Sequence, residues 1–470
     1  MINKLFTTLI VLLILAVNIL RFWQLDQVPY GFNVDELSGS VTIQCMETEG
    51  VDAHLIPHPI FADQHYGTPK PPVYTYPAVL WEKIFGHTAD RLRAFTAFGN
   101  VLAILGLFVL TRMLFCNSYA LLVTLIASLS PWIWGLSRIG YESTFCNTFI
   151  IWGIFFFLRK DKWLDKIIAG FLFACAMYVY PPERLHVPLL LVPLFIFHII
   201  KYKRLQKGPL TGFILTLILS CIPLVQYTLW GNLQERFNGL SIFNNEFLKS
   251  VGKTNNPIDL ANVFFHNFSL HFSPRYLFIT GDPSWEHSTQ HFGLLGWVDI
   301  LGLAALVFIL LFRFKDILPD KWWLIFILAN FLIGIIPASL TNSGLPSSLR
   351  TVGAFPFSCL LTGYGLWMLC RRWKIFFPVA VLLGCLFSFM FLKTYFTLYP
   401  EESKGWFGFW TKEEALNAKT DKDWMLFMVH YQDQDYHFRY YLMNYHGDTC
   451  TSSRVKWQKL REVLKLPKIY

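Results

Sequence analysis

The sequence predicts an all-α polytopic membrane protein of about eleven transmembrane helices, with large outer loops and a small C-terminal outer domain. Three observations carry this reading. The 470-residue chain is 54% hydrophobic and only 15% charged, whereas soluble domains carry about 25% charged residues. Its apolar residues gather into runs long enough to cross ~30 Å of hydrocarbon as helices. Lys and Arg fall on alternate sides of those runs, as the positive-inside bias requires.

The runs are 5–23, 92–115, 118–136, 143–158, 164–180, 187–200, 209–229, 293–312, 322–340, 351–370 and 375–397. The first follows Lys4 but is too long for a secretory core and has no A-x-A-like cleavage site, so it reads as an uncleaved span. With the N-terminus inside, sixteen Lys and Arg of the short connections lie on the inner side. Only three, Arg138, Arg184 and Arg350, lie outside. One missed or extra helix would scramble that alternation.

Three long segments then lie outside: 24–91, 230–292 and 398–470. They are rich in Trp, Tyr, His and Pro, and the aromatics suit the headgroup zone. Short helices lying on the membrane are expected in 38–50 and 72–86. The domain organisation follows: a transmembrane module, 1–397, with outer loops 24–91 and 230–292, then a small non-cytoplasmic domain, 398–470, ending in a helix near 453–465.

The net charge of +9 belongs to cationic inner loops in such a protein. No nucleic-acid-reading motif accompanies it, so nucleic acid is not an expected partner. The nine cysteines sit mostly inside apolar runs, without C-x-x-C or metal-ligand spacing. A disulfide between Cys45 and Cys450 is open, but nothing in the sequence requires it. Asn267-Phe-Ser is a formal glycosylation sequon.

The residues that carry chemistry cluster at the outer ends of the spans. Asp35 and Glu36 follow the first run by about a dozen positions, after a turn at Pro29 and Gly31. Carboxylates are costly beside lipid, so a pair kept there points to chemistry at the water–lipid boundary; a helix cap at Asn33 or Asp35 is the plainer reading. Lys70 stands between prolines in Thr68-Pro-Lys-Pro-Pro-Val-Tyr. Prolines stiffen and extend the backbone, and a cation held that way suits a phosphate; an interfacial lysine with its stem in lipid is the alternative. Arg138, Arg184 and Arg350 are suited to bidentate phosphate capture. Glu142 and Glu183 stand close enough in sequence to make structural ion pairs with the first two. Asp282 and His287, in a Gly-Asp-Pro turn before the eighth run, and Glu142 are weaker substrate-binding candidates.

These motifs, in this order, resemble the GT-C membrane glycosyltransferases, specifically the protein O-mannosyltransferase and aminoarabinose-transferase branch. The matching features are Asp35-Glu36 in the first outer loop, Lys70-Pro-Pro-Val-Tyr, Arg91-Leu-Arg-Ala opening the second span, Gly281-Asp…His287, and Pro346-Ser-Ser-Leu-Arg350 through Pro356. The resemblance covers roughly residues 1–370 and leaves the tail without a counterpart. It implies an inverting enzyme that takes a sugar from a polyprenyl-phosphate carrier and passes it to a glycan, lipid or protein acceptor on the non-cytoplasmic face. By matched position Asp35 is the general base, with Glu36 beside it, and Lys70 contacts the carrier phosphate. Pro69 stands where the aminoarabinose transferases have a glutamate that helps hold a metal, so a divalent metal is open but not indicated. The motifs suggest a bacterial inner membrane. The other readings are a transporter and a ligase or polymerase of lipid-linked glycans.

Overall fold

The structure is a computed structural model that describes residues 4–464 and 466, except 66–67, 160–161, 204–205, 231–237 and 432–434. The described residues are mostly helical, and each of the eleven apolar runs contains a helix. Among the described residues six helical segments are long and apolar enough to cross a membrane: Ala89–Leu114, Glu183–Tyr202, Lys207–Leu229, Phe314–Ser339, Val352–Arg372 and Phe376–Thr397. Thr7–Leu20, Asn117–Leu129 and Trp297–Phe312 are shorter apolar helices. The run 118–136 is not one helix. It breaks at Ser130 into Asn117–Leu129 and Pro131–Leu136, because Pro131 has no N–H to continue the first helix.

The chain divides into two compact units. The first comprises Met1–Arg21, Phe98–Ser137 and Ser143–Leu392. Its helices pack closely where small residues allow: a Cβ on Gly302 or Gly365 would collide with the backbone of the facing helix, the small-residue contact by which apolar helices associate in lipid. Several of its buried polar side chains are paired. The buried Arg21 donates to Ser128 O at 2.9 Å and to Ser137 Oγ at 2.7 Å. Asn267, the sequon residue, is buried and its Nδ2 donates to Ser339 O at 3.2 Å and Thr341 O at 2.9 Å, so this fold leaves no room for a glycan there.

The second unit comprises Phe22–Ala97, Arg138–Glu142 and Lys393–Tyr470. Helix Val34–Thr48 is its centre. One buried cluster joins Phe32, Leu37, Val41 and Cys45 to Trp424, Phe427, Phe438, Tyr440 and Trp457 of the tail. Cys45 and Cys450 form a disulfide. The compact units therefore do not follow the boundary expected at 397/398, because the tail completes the core under the first outer loop. For the same reason the helix expected at 38–50 is not a surface helix: Leu37 to Met46 are all buried. Helix Pro72–Phe85 does carry an apolar stripe, with Tyr76, Leu80 and Ile84 exposed at helical spacing and Tyr74, Ala78 and Glu82 buried. Strands Ala62–His65 and Thr68–Lys70 form a short antiparallel pair that the sequence reading did not include. The last helix is Cys450–Val463.

Candidate active site

The second unit builds its site around the start of helix Val34–Thr48. Gly31, with φ of 80°, takes a backbone conformation that disfavours side chains and turns the chain into Phe32 and Asn33. Asn33 then caps the helix, its Oδ1 accepting from Asp35 N–H at 2.8 Å. Glu36 closes the capping box, its Oε2 accepting from Asn33 N–H at 3.0 Å. The cap is thus Asn33 with Glu36, and Asp35 is left exposed at the helix start.

Glu36 is fully buried and its carboxylate is saturated. Oε1 accepts from Arg93 Nε at 2.7 Å and Gly140 N at 2.8 Å; Oε2 accepts from Arg93 Nη2 at 2.9 Å as well as from Asn33. Arg93 spends its other N–H groups on the carbonyls of Leu25 at 2.8 Å, Pro29 at 3.2 Å and Gly31 at 2.8 Å. All five donors of a guanidinium are thereby used. The pair binds the 25–31 turn, the helix start, the Ala89–Leu114 helix and the 138–142 loop into one piece. Grouped with Asp35 as catalytic in the sequence reading, Glu36 has a holding role in this geometry, since no lone pair remains for a substrate proton.

Arg138 was expected among the phosphate ligands. It is fully buried, its Nη2 donates to Val28 O at 3.1 Å, and its guanidinium lies over the rings of Tyr395 and Phe396 at 5.3 and 5.1 Å. Its charge is enclosed among carbonyls and rings rather than offered to a ligand. Lys70, the other expected phosphate ligand of this unit, is buried. Its Nζ lies 3.1 Å from Asp35 O and 3.6 Å from the Glu142 carboxylate. Tyr74 OH steadies the Glu142 loop by donating to Gly140 O at 3.3 Å. Asp35, Lys70 and Glu142 are therefore gathered at one place.

The remaining candidates lie in the first unit. Asp282 Oδ2 accepts from Ser348 N at 2.6 Å and Ser348 Oγ at 2.9 Å, and stands 3.4 Å from His287 Nδ1. Burial alone would depress the His287 pKa, but the charge and hydrogen bond of Asp282, with the charge of Glu286, together raise it. Burial would raise Asp282, but His287 and the amides of Ser284 and Ser348 hold it low. Arg350 Nη1 donates to Thr341 Oγ1 at 2.8 Å and to Ser343 O, and its charge acts on both His287 and His271. His271 is pushed down to about 4, chiefly by burial. Arg184 Nε reaches Met177 O at 3.4 Å, while Glu183 pairs with His186 at 2.6 Å.

The described residues do not offer a metal its ligands: no group of three or more His, Cys, Asp or Glu side chains among them is placed to hold one. Arg93 was missed as a site residue by the sequence reading. Its signal was present, a charge set inside the start of a long apolar run.

The family model for dolichyl-phosphate-mannose-protein mannosyltransferase matches residues 69–227. No curated protein matches the chain. Among solved structures, the archaeal oligosaccharyltransferase AglB from Archaeoglobus fulgidus, in complex with an inhibitory peptide and a dolichol-phosphate, aligns with TM-score 0.51 and 14% identity, over 95% of this chain and 60% of that one. The oligosaccharyltransferase of the same organism, tethered to an acceptor peptide, aligns with TM-score 0.50 and 11% identity, over 100% of this chain and 61% of that one. ArnT from Cupriavidus metallidurans, bound to undecaprenyl phosphate, reaches 0.47 at 14% identity, over 96% and 75%. The two scores of 0.50 and above establish a shared fold. This chain spans about three-fifths of the oligosaccharyltransferase it matches.

Proposed function

We propose that this chain, which has the fold of the GT-C membrane glycosyltransferases, is an inverting glycosyltransferase. It moves a sugar from a polyprenyl-phosphate donor to an acceptor hydroxyl on the non-cytoplasmic face of the membrane. The observation that carries the reading is the gathering of an exposed Asp35 with the Lys70 ammonium on Asp35 O, on a turn clamped by the Glu36–Arg93 pair. The Asp35 carboxylate is placed to act as a general base. It takes the proton of the acceptor hydroxyl as that oxygen forms its bond to the anomeric carbon. The bond from that carbon to the phosphate oxygen breaks on the opposite side, and its electron pair leaves with the carrier phosphate. Lys70 compensates the charge that develops there. Glu142 holds Lys70 in place, and the Asp282–His287 pair is a weaker candidate for substrate contact. The match of residues 69–227 to a mannosyltransferase family model supports the same reaction class. A bacterial inner membrane suits the motifs.

The test incubates the purified protein with labelled polyprenyl-phosphate sugars and follows the label. Asp35→Asn is expected to keep the membrane level and lower transfer by about 10²–10⁴-fold, the usual share of a general base. Full transfer by that variant removes Asp35 as the base.

A further inference from the structure

The tail brings a half-buried ammonium to the same turn and sets no acid against it. Lys412 lies in helix Phe409–Asn417 and is half-buried. Its Nζ stands 5.4 Å from the centre of the Phe32 ring, and the Arg93 guanidinium stands 4.5 Å from the centre of the same ring. The tail grips Phe32 in other ways: His437 Nε2 lies 3.3 Å from its carbonyl, and Tyr440 packs on its ring at 5.8 Å. Lys70 is engaged by Asp35 O and Glu142. Among the described residues Lys412 has no side-chain hydrogen bond and no ion pair. Asp26 and Asp90 attract it without touching it, while burial and the like charge of Arg93 oppose its protonated form.

An ammonium taken from water without a counter-ion is costly. A ring contact returns about 0.5–2 kcal/mol, and Arg93 works against it. Among the described residues no carboxylate makes contact with this ammonium. We propose that Lys412 is a substrate-binding residue that contacts the phosphate of the lipid carrier over the Phe32–Asp35 turn. This rests on the donor class proposed above and adds a second cation, supplied by the tail. The reaction gives that cation a reason. The donor is a phosphodiester with one negative charge. When its bond to the sugar breaks, the electron pair stays on the phosphate, and the monoester carries about −1.5 to −2 at neutral pH. A second ammonium therefore stabilises the leaving state more than the ground state, which is the condition for accelerating the step.

The experiment places the full chain in lipid nanodiscs and titrates it with undecaprenyl phosphate, undecaprenol and inorganic phosphate, read by tryptophan fluorescence. The wild type is expected to bind undecaprenyl phosphate well above undecaprenol. Lys412→Gln is expected to weaken the phosphate lipid by about tenfold, the scale of one charge-assisted hydrogen bond, and to leave undecaprenol unchanged; Lys412→Arg restores most of the loss. The Cys45–Cys450 disulfide, read by gel mobility without reductant, reports that the tail is folded. If Lys412→Gln disturbs it, Lys412→Met keeps the stem against Phe32 and takes its place. A folded variant that binds undecaprenyl phosphate as the wild type does overturns the proposal. Equal displacement of the Lys412-dependent signal by inorganic phosphate overturns the carrier as its ligand. A wild type that does not separate undecaprenyl phosphate from undecaprenol overturns the donor reading itself.

Discussion

Asp35 and Glu36 are neighbours in sequence with opposite environments, one exposed and one fully enclosed. That difference separates their mutational signatures. Glu36→Gln leaves Arg93 buried without its counter-charge. Breaking a buried ion pair from one side costs about 3–5 kcal/mol, so unfolding in detergent should occur at clearly lower temperature, and transfer should fall with it. Asp35→Asn alters an exposed side chain, and such changes usually stay within about 0.5 kcal/mol. A Glu36→Gln protein as stable as the wild type would show that the clasp does not hold the turn. The sequence made both acids visible but not their division of labour. Which carboxylate is enclosed depends on Arg93 and Gly140, far along the chain, and no local pattern reports that pairing. Arg138 was misplaced for the same reason: its isolation in a short loop read as availability, while the rings that enclose it come from Tyr395 and Phe396.

Helices were the most legible elements, because a long apolar run in lipid must satisfy its backbone internally. What the runs hide is where a helix breaks: Pro131 ends one helix and begins another inside a single hydrophobic stretch. Helix Val34–Thr48 was legible as a helix but not as a buried one, because its covering surface comes from the tail about four hundred residues later. That dependence is testable. Trp424 is 2% exposed and packs its ring on Phe427 and Phe438. Trp424→Ala should cost about 3–5 kcal/mol, as for a large aromatic removed from a core, and should lower transfer although the residue lies in the tail. A tail that is a separate domain would instead unfold alone and leave transfer intact, which thermal melts followed alongside activity would reveal.

The whole chain must also choose a direction across the membrane. Two independent features bear on it. On the expected eleven-span topology the short connections place sixteen basic residues on one side and three on the other, a bias that sets orientation during insertion. The second unit holds a disulfide between residues 405 positions apart, and such bonds persist in oxidising compartments outside the cytosol. Both are what the proposed topology expects, with Asp35 and Lys70 on the non-cytoplasmic face. In intact cells, brief reduction followed by a membrane-impermeant maleimide should label Cys45 and Cys450. Both are almost fully buried, so mild denaturant is added equally to all samples. Substituting both cysteines by serine should remove that label. A cysteine placed at Arg313, in a connection of the basic side, should be labelled only after the membrane is opened. Labelling of that cysteine in sealed cells, with none at Cys45 and Cys450, would put the carboxylate and its cations in the cytoplasm. A reaction on the outer leaflet would then have no base.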